Sequence, residues 1–372
     1  HKESAGQRII NSIKALPRQI SRMPIILMLL IVWIVFMIIS KNFFTANNII
    51  TLLVSNSYFF VAAIGETFVL MTGGIDLSIA HVTTLSSIVA ALVMVEFQSA
   101  AVAAQVNPGT GAVISDPDWW QKITGGETGV IQQQATQAME STAPMAILIG
   151  LLVCLAIGLI FGFINGIAIG KFGMNPFIIT LSTQLIARGI SFVLSGGHSI
   201  PGIPKQMINL SISSGIPLSD TLVFPWIVPI VIVIMVLFGI ALDKTRWGRY
   251  IKLVGSNEHA AKYAGIKVNN VTTSVYVVSG VVGGLAGFIS MIILGTADVK
   301  LGDPLLLPVI GSAVLGGISL AGGEGNMIKA VLGMILVATI INGMTFFNLS
   351  IAMQQVILGG IFVIGMSALA RV

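Results

Sequence analysis

Long stretches without a charged side chain organise this 372-residue chain. They cover residues 23–40, 42–65, 77–95, 141–170, 172–187, 189–204, 221–242, 268–297, 304–323 and 330–370. An ionised side chain is costly at bilayer depth and a spanning helix needs about 20 mostly apolar residues, so these runs read as membrane spans. Residues 42–56 carry Asn47, Asn48, Ser55 and Asn56 and look interfacial, which starts the second span near Ser57. The last run exceeds one helix and turns once around residues 342–350, and Arg188 is kept inside the fifth span. The pattern predicts ten spans, near 24–40, 57–73, 80–97, 144–170, 177–195, 222–241, 271–295, 305–321, 328–345 and 351–369. The fold class is an all-α integral membrane protein, with a tail over 1–23 and a single transmembrane domain over 24–372.

Ten crossings put both termini on one side, and Lys and Arg near span ends identify the cytoplasmic face. The tail (Lys2, Arg8, Lys14, Arg18, Arg22), the 242–270 loop (Lys244, Arg246, Arg249, Lys252, Lys262, Lys267), Lys171, Lys329 and Arg371 place fourteen cations on that face. Four (Lys41, Lys122, Lys205, Lys300) lie on the other. Both termini are therefore expected in the cytoplasm. Composition agrees: 9% of residues are charged, against roughly 25% in a soluble domain, and 55% are hydrophobic. A mean hydropathy of +0.97 excludes a soluble globular protein. The net charge of +5 would otherwise suggest nucleic acid; here it is an orientation signal. The lone Cys154 leaves no disulfide framework or Cys-rich metal site. The first span is expected to be retained rather than cleaved, because no small-residue cleavage site closes it.

Few groups in the spans carry chemistry. Glu66, Asp76, His81 and Arg188 are the ionisable ones. Asp76, in Gly73-Gly74-Ile75-Asp76-Leu77-Ser78, is expected to cap the third helix, and Glu66 is expected to find Arg188 as a partner. No GxxxxGK[ST], HExxH, CxxC or GxSxG occurs, so the chain is not expected to hydrolyse ATP or act as an enzyme. Gly158, Gly162, Gly166 and Gly170, and likewise Gly280, Gly283, Gly284 and Gly287, predict close helix packing. A loop over 98–143 holds Asn107-Pro108-Gly109, Asp116, Asp118, Trp119 and Trp120, and is expected outside. Two short internal similarities, Asn165-Gly166 with Asn342-Gly343 and Gly73–Leu77 with Gly316–Leu320, have different offsets and place no site.

The 242–270 loop is the most informative segment. Ser256 or Asn257 can cap a short helix there, Glu258 sits in its first turn, and Gly265 can end it in the left-handed conformation. Such a helix, with Ala260 and Ala261 on it, suits docking into a partner's groove. At Gly255–Ile266 the chain resembles the coupling loop of bacterial ABC importer permeases. It resembles the ribose/galactose-type (simple-sugar) permease family in three further places: Thr72–Ser78; Phe163-Ile164-Asn165-Gly166 with Asn175–Leu181; and Leu315–Gly325. Before the last of these, Pro308–Ser312 replaces the Ala-rich stretch common in relatives.

The resemblance implies a fold like the vitamin B12-type importers and a sugar permease of the bacterial inner membrane. It also implies a second permease copy, a cytoplasmic ATPase subunit and an external sugar-binding protein, with ATP and Mg on the ATPase and no cofactor in this chain. Gly255, Asn257, Glu258, Ala260, Ala261 and Gly265 then form the coupling loop, while Gly73, Gly74, Asp76 and Ser78 form a structural motif. A neutral sugar needs hydrogen-bond partners without a counter-charge, so Asn165, Asn175, Gln184, Asn342, Gln354 and Gln355 are candidates for its path. The alternative is a stand-alone secondary transporter or channel for a small polar solute.

Overall fold

The computed structural model describes residues 24–106, 129–219 and 222–369. They form helices α1 (Pro24–Ile39), α2 (Ala46–Ser55), α3 (Ser57–Met71), α4 (Ile79–Val106), α5 (Gly129–Gly170), α6 (Pro176–Ser195) and α7 (Lys205–Ile212). A hairpin of β1 (Gly215–Ser219) and β2 (Leu222–Pro225) follows. The chain continues through α8 (Ile227–Lys244), α9 (Arg246–Ser256), α10 (Glu258–Tyr263), α11 (Val268–Leu294), α12 (Gly302–Leu315), α13 (Met327–Phe346) and α14 (Ile351–Leu369). Six of these helices are long and apolar enough to cross a membrane, α2 and α3 form a pair bent by 50°, and α1, α12 and α14 are shorter apolar helices.

The differences from the hydropathy reading have local causes. α4 continues to Val106 and α5 begins at Gly129, so residues 98–106 and 129–143 of the expected outer loop are helical. Residues 107–128, with the paired tryptophans, lie outside the described part, as does the 1–23 tail. The span expected from 222 opens as strand β2, and its helix starts only at Ile227. The span expected over 305–321 stops at Leu315, where Gly317 takes a φ of +89° that a helix does not contain. Residues 46–55, read as interfacial, are helical but bury no side chain, and Thr45 caps them by accepting the Asn48 N–H.

α11 is the hub, packed against α3, α4 and α5. Its contact with α5 is made by the two glycine rows. A Cβ at Gly158 would strike the Gly280 carbonyl, one at Gly284 the Cys154 carbonyl, and one at Gly162 the Tyr276 carbonyl. Hydrogen-only faces let the backbones touch, and Thr273 Oγ1 donates to the Gly166 carbonyl at 2.9 Å across the seam. In lipid, where apolar burial drives little, such close contact is the main source of helix association.

Two connections re-enter the bundle. Residues 72–78 turn back after α3, so that α4 starts beside the middle of α3, with Ile79 against Gly65 and the Asp76 N–H facing the Glu66 carboxylate at 3.4 Å. Residues 295–301 do the same after α11. The start of α12 at Gly302 lies against Ala80, His81 and Thr84 of α4. Two helix N-termini thus face the interior, an arrangement that irregular backbone tolerates only where protein or a water-filled cavity surrounds it.

Candidate coupling seat and polar path

The polar segment 245–267 forms two short helices. In α9, Gly248, Ile251 and Val254 face inward, the Trp247 indole N–H donates to Ser274 Oγ at 2.8 Å, and its ring stacks on Phe68. In α10, Asn257 is the cap: its side chain accepts the Ala260 N–H at 2.9 Å, while Ser256 belongs to the preceding helix. Glu258 in the first turn pairs with Lys262 in the last, each at the helix end its charge favours. Gly265 follows with a φ of +78°. Ala261 faces inward; Glu258, His259, Ala260 and Tyr263 face out, and Tyr263 is 93% exposed.

Gly255 carries this unit onto the bundle. A Cβ there would collide with the Met71 carbonyl and the Gly323 nitrogen. Gly322, at a φ of +87°, lies against Gly73, and the Gly323 N–H donates to the Met71 carbonyl at 2.9 Å. The three separate stretches 72–78, 254–266 and 315–325 therefore meet at one point. Gly73, in the first of the two similar Gly-Gly segments, packs on Ala321 and Gly322, just after the second. Beside this seat an open cavity of about 400 Å³ is lined by Gly73, Lys171, Pro176, Glu258, Lys262 and Tyr276, among others.

Above the seat runs a buried polar network. Asp76 Oδ1 accepts the Ser78 N–H at 3.0 Å and the Ser78 hydroxyl at 2.6 Å, and its Oδ2 accepts the Ser279 hydroxyl at 2.7 Å. The Asn165 amide donates to Ser78 Oγ at 2.9 Å, and its oxygen accepts from Thr183 at 2.9 Å. Gly73 takes a φ of +77°, and Gly74 leaves room for the Tyr276 hydroxyl, which donates to the Ile75 carbonyl at 3.3 Å. Asp76 does accept backbone N–H at the start of α4, as expected, and also ties α4 to α11.

The other path candidates are dispersed. Asn175 caps α6 by accepting the Phe177 N–H, and Asn342 exchanges amide hydrogen bonds with Asn48 at 3.0 and 3.3 Å. Gln354 donates to the Leu349 carbonyl at 2.9 Å. With Gln355 it lines a cavity of about 190 Å³ that also holds Asn56, Tyr58, Pro304 and Pro308. Gln184 has a buried Oε1 without a partner.

The expected Glu66–Arg188 pair is absent. Arg188 instead contacts Asp303 at 3.2 Å, and His81 Nε2 lies 3.3 Å from the same carboxylate. Glu66 is buried, with Oε1 near the Asp76 N–H and Oε2 unpartnered. The reason is topological: α6 packs mainly on α4 and α5, which places Arg188 beside Asp303 rather than Glu66. Asp303, Ser279, Tyr276 and Thr183 were not singled out in the sequence. Asp303 alone left a signal there, as the carboxylate just before an apolar run.

Apolar spanning helices, re-entrant connections with buried polar termini, and a polar helix pair seated on them define a multi-pass membrane transport protein. The comparisons agree. Residues 48–366 match the family described as branched-chain amino acid transport system / permease component. The chain is 30% identical to the D-allose transport system permease protein AlsC of Escherichia coli (strain K12), over 87% of this chain and 83% of that one. It is 30% identical to the ribose import permease protein RbsC of Bacillus subtilis (strain 168), over 90% and 88%, and 26% identical to the L-arabinose ABC transporter permease protein AraH of Azospirillum brasilense, over 93% and 86%. No solved structure matches the chain. The chain belongs to this permease family: it is the membrane subunit of an ABC importer, a multi-pass protein of the bacterial inner membrane and not an enzyme.

Proposed function

We propose that this permease imports a simple sugar, with energy from ATP hydrolysed on a partner subunit and transmitted through α9 and α10. The observation that carries the reading is the meeting of Gly255, Met71, Gly73, Gly322 and Gly323, which couples the polar helices directly to the start of the re-entrant segment 72–78. Gly255, Asn257, Glu258, Ala260, Ala261 and Gly265 form the coupling unit: Ala261 and Gly255 hold it to the bundle, and Glu258, Ala260 and their exposed neighbours face the ATPase. ATP and Mg bind to that ATPase; this chain holds no cofactor. Closure of the ATPase pair biases a two-state bundle, which requires contacts that differ between the states.

The family description names branched-chain amino acids, whereas the relatives above are named for D-allose, ribose and L-arabinose. A sugar is favoured because the 190 Å³ cavity offers Asn56, Tyr58, Gln354 and Gln355, hydrogen-bonding groups without the fixed counter-charges an amino-acid zwitterion would need. Counting the long helices, the bent pair and the short apolar helices as crossings supports ten spans with both termini cytoplasmic. The segments at 72–74, 170–176, 254–268 and 320–323, all on the side assigned to the cytoplasm by charge, lie together in the fold. A vitamin B12-type bundle with a second permease copy and an external binding protein completes the assembly.

Proteoliposomes containing this chain, its ATPase and its binding protein should accumulate labelled sugar only with ATP inside the compartment that exposes the ATPase. Uptake by the isolated chain, driven by a proton gradient, would establish the secondary-transporter alternative instead.

A further inference from the structure

The geometry points to a sugar-hydroxyl contact site built from His81, Gln184, Arg188 and Asp303, an inference that rests on the sugar-importer reading above. Three side chains from three elements meet there, and Gln184 lies beside them on α6. Asp303, in the first turn of α12, receives Arg188 of α6 at 3.2 Å and faces His81 Nε2 of α4 at 3.3 Å. The guanidinium also lies 5.8 Å from the centre of the Phe192 ring. Gln184 is one turn before Arg188, on the same face of α6.

Two features separate this cluster from a structural ion pair. The first is exposure. The Arg188 and Asp303 side chains are 46% and 39% exposed, although Arg188 lies about 18 Å along a helix long enough to cross the membrane. An open ion pair against hydrocarbon would be costly, so this face borders water or a polar ligand. The second is unmet hydrogen bonding. His81 Nδ1 and Gln184 Oε1 are buried without any partner, and buried polar atoms in native folds are paired with protein, water or ligand. Arg188 and Asp303 cancel each other's charge, so the cluster presents no net counter-charge and offers donors on Arg188, acceptors on Asp303 and Gln184, and an unused ring nitrogen. Vicinal hydroxyls, which both donate and accept, match that set.

The position suits an intake site. The cluster joins the starts of both interior helices, α4 and α12, with Gly302 seated on Ala80 and His81. It lies about two turns below the Gly196 end of α6, near where Ile200 pairs with Ala297 and Ser199 with Asp298. That end is opposite the coupling seat. A site that hydrogen-bonds substrate hydroxyls strongly disfavours analogues lacking them, because its buried groups are then left unpaired.

The test uses the complete complex in proteoliposomes, with labelled D-ribose, D-allose and L-arabinose as probes and 2-deoxy-D-ribose as competitor. Gln184→Leu and Asp303→Asn should each change the ratio of uptake rates among the three sugars about tenfold or more and reduce discrimination against the deoxy competitor, while still assembling with the ATPase. If Asp303→Asn fails to assemble, Gln184→Leu decides alone, because Gln184 Oε1 makes no hydrogen bond whose loss could unfold the bundle. Variants that import all three sugars at wild-type ratios overturn the site and leave the sugar reading intact. A wild-type complex that imports none of them overturns the sugar reading and the site together.

Discussion

Gly255 and Met71 meet backbone to backbone: a methyl group on Gly255 would occupy the space of the Met71 carbonyl, which also accepts the Gly323 N–H at 2.9 Å. Any displacement of α9, which α10 follows directly, therefore reaches the end of α3 and the 315–325 loop through contacts with no compressible side chain between them. Close-packed elements of this kind shift as units between discrete arrangements.

Gly255→Val should therefore insert and still bind the ATPase, but with stability lowered by about 1–3 kcal/mol through overpacking and with less sugar imported per ATP hydrolysed. Thermal melting in detergent and a transport-to-hydrolysis ratio measure the two effects. Wild-type values for both would show that the seat tolerates a side chain and does not transmit force.

On the outward face of α10, Ala260→Arg should leave insertion intact, since the residue is exposed, and abolish sugar-stimulated ATP hydrolysis in the reconstituted complex by filling the docking surface. Normal stimulation in that variant would move the ATPase contact elsewhere.

The glycine seam makes a contrast within one protein. Gly158→Ala places a methyl against the Gly280 carbonyl and should cost about 1–3 kcal/mol, whereas nothing lies within 4 Å of a Cβ at Gly189 in α6. Gly189→Ala should be neutral or stabilising by up to about 1 kcal/mol, from helix propensity alone. Parallel melts of the two variants check the difference, and equal shifts would argue against the close α5–α11 contact.

Glu66 distinguishes the energy sources. It is buried and no cation among the described residues pairs with it, so its role is to face the Asp76 N–H and hold the re-entrant turn. Glu66→Gln keeps an acceptor there and should retain ATP-driven uptake within about twofold, by the modest net value of a single hydrogen bond. A proton-coupled carrier would lose transport in the same variant while remaining folded.

Membrane residence and the existence of most helices were legible in the sequence, because the cost of a charge in lipid leaves its mark residue by residue. So were the features set by local geometry: a cap at Ser256 or Asn257 and the left-handed Gly265 around α10, and the small faces at Gly158 and Gly280. Span ends were less legible. Hydropathy does not distinguish strand β2 from the start of α8, nor detect that α12 ends at Gly316-Gly317. Which charge meets which, and which glycines meet, depended on distant parts of the chain. Arg188 faces Asp303, 115 residues away, and not Glu66; Asn165 is consumed by Ser78 and Thr183; and Gly73, Gly255 and Gly322 share one point. Composition and spacing act along the chain and determined that this protein is a bundle in a membrane with one polar cytoplasmic loop carrying a short helix. Partner choice among its few polar groups is settled by helix packing in three dimensions, where the unpaired alternatives are too costly to persist, and only the tertiary structure decided it.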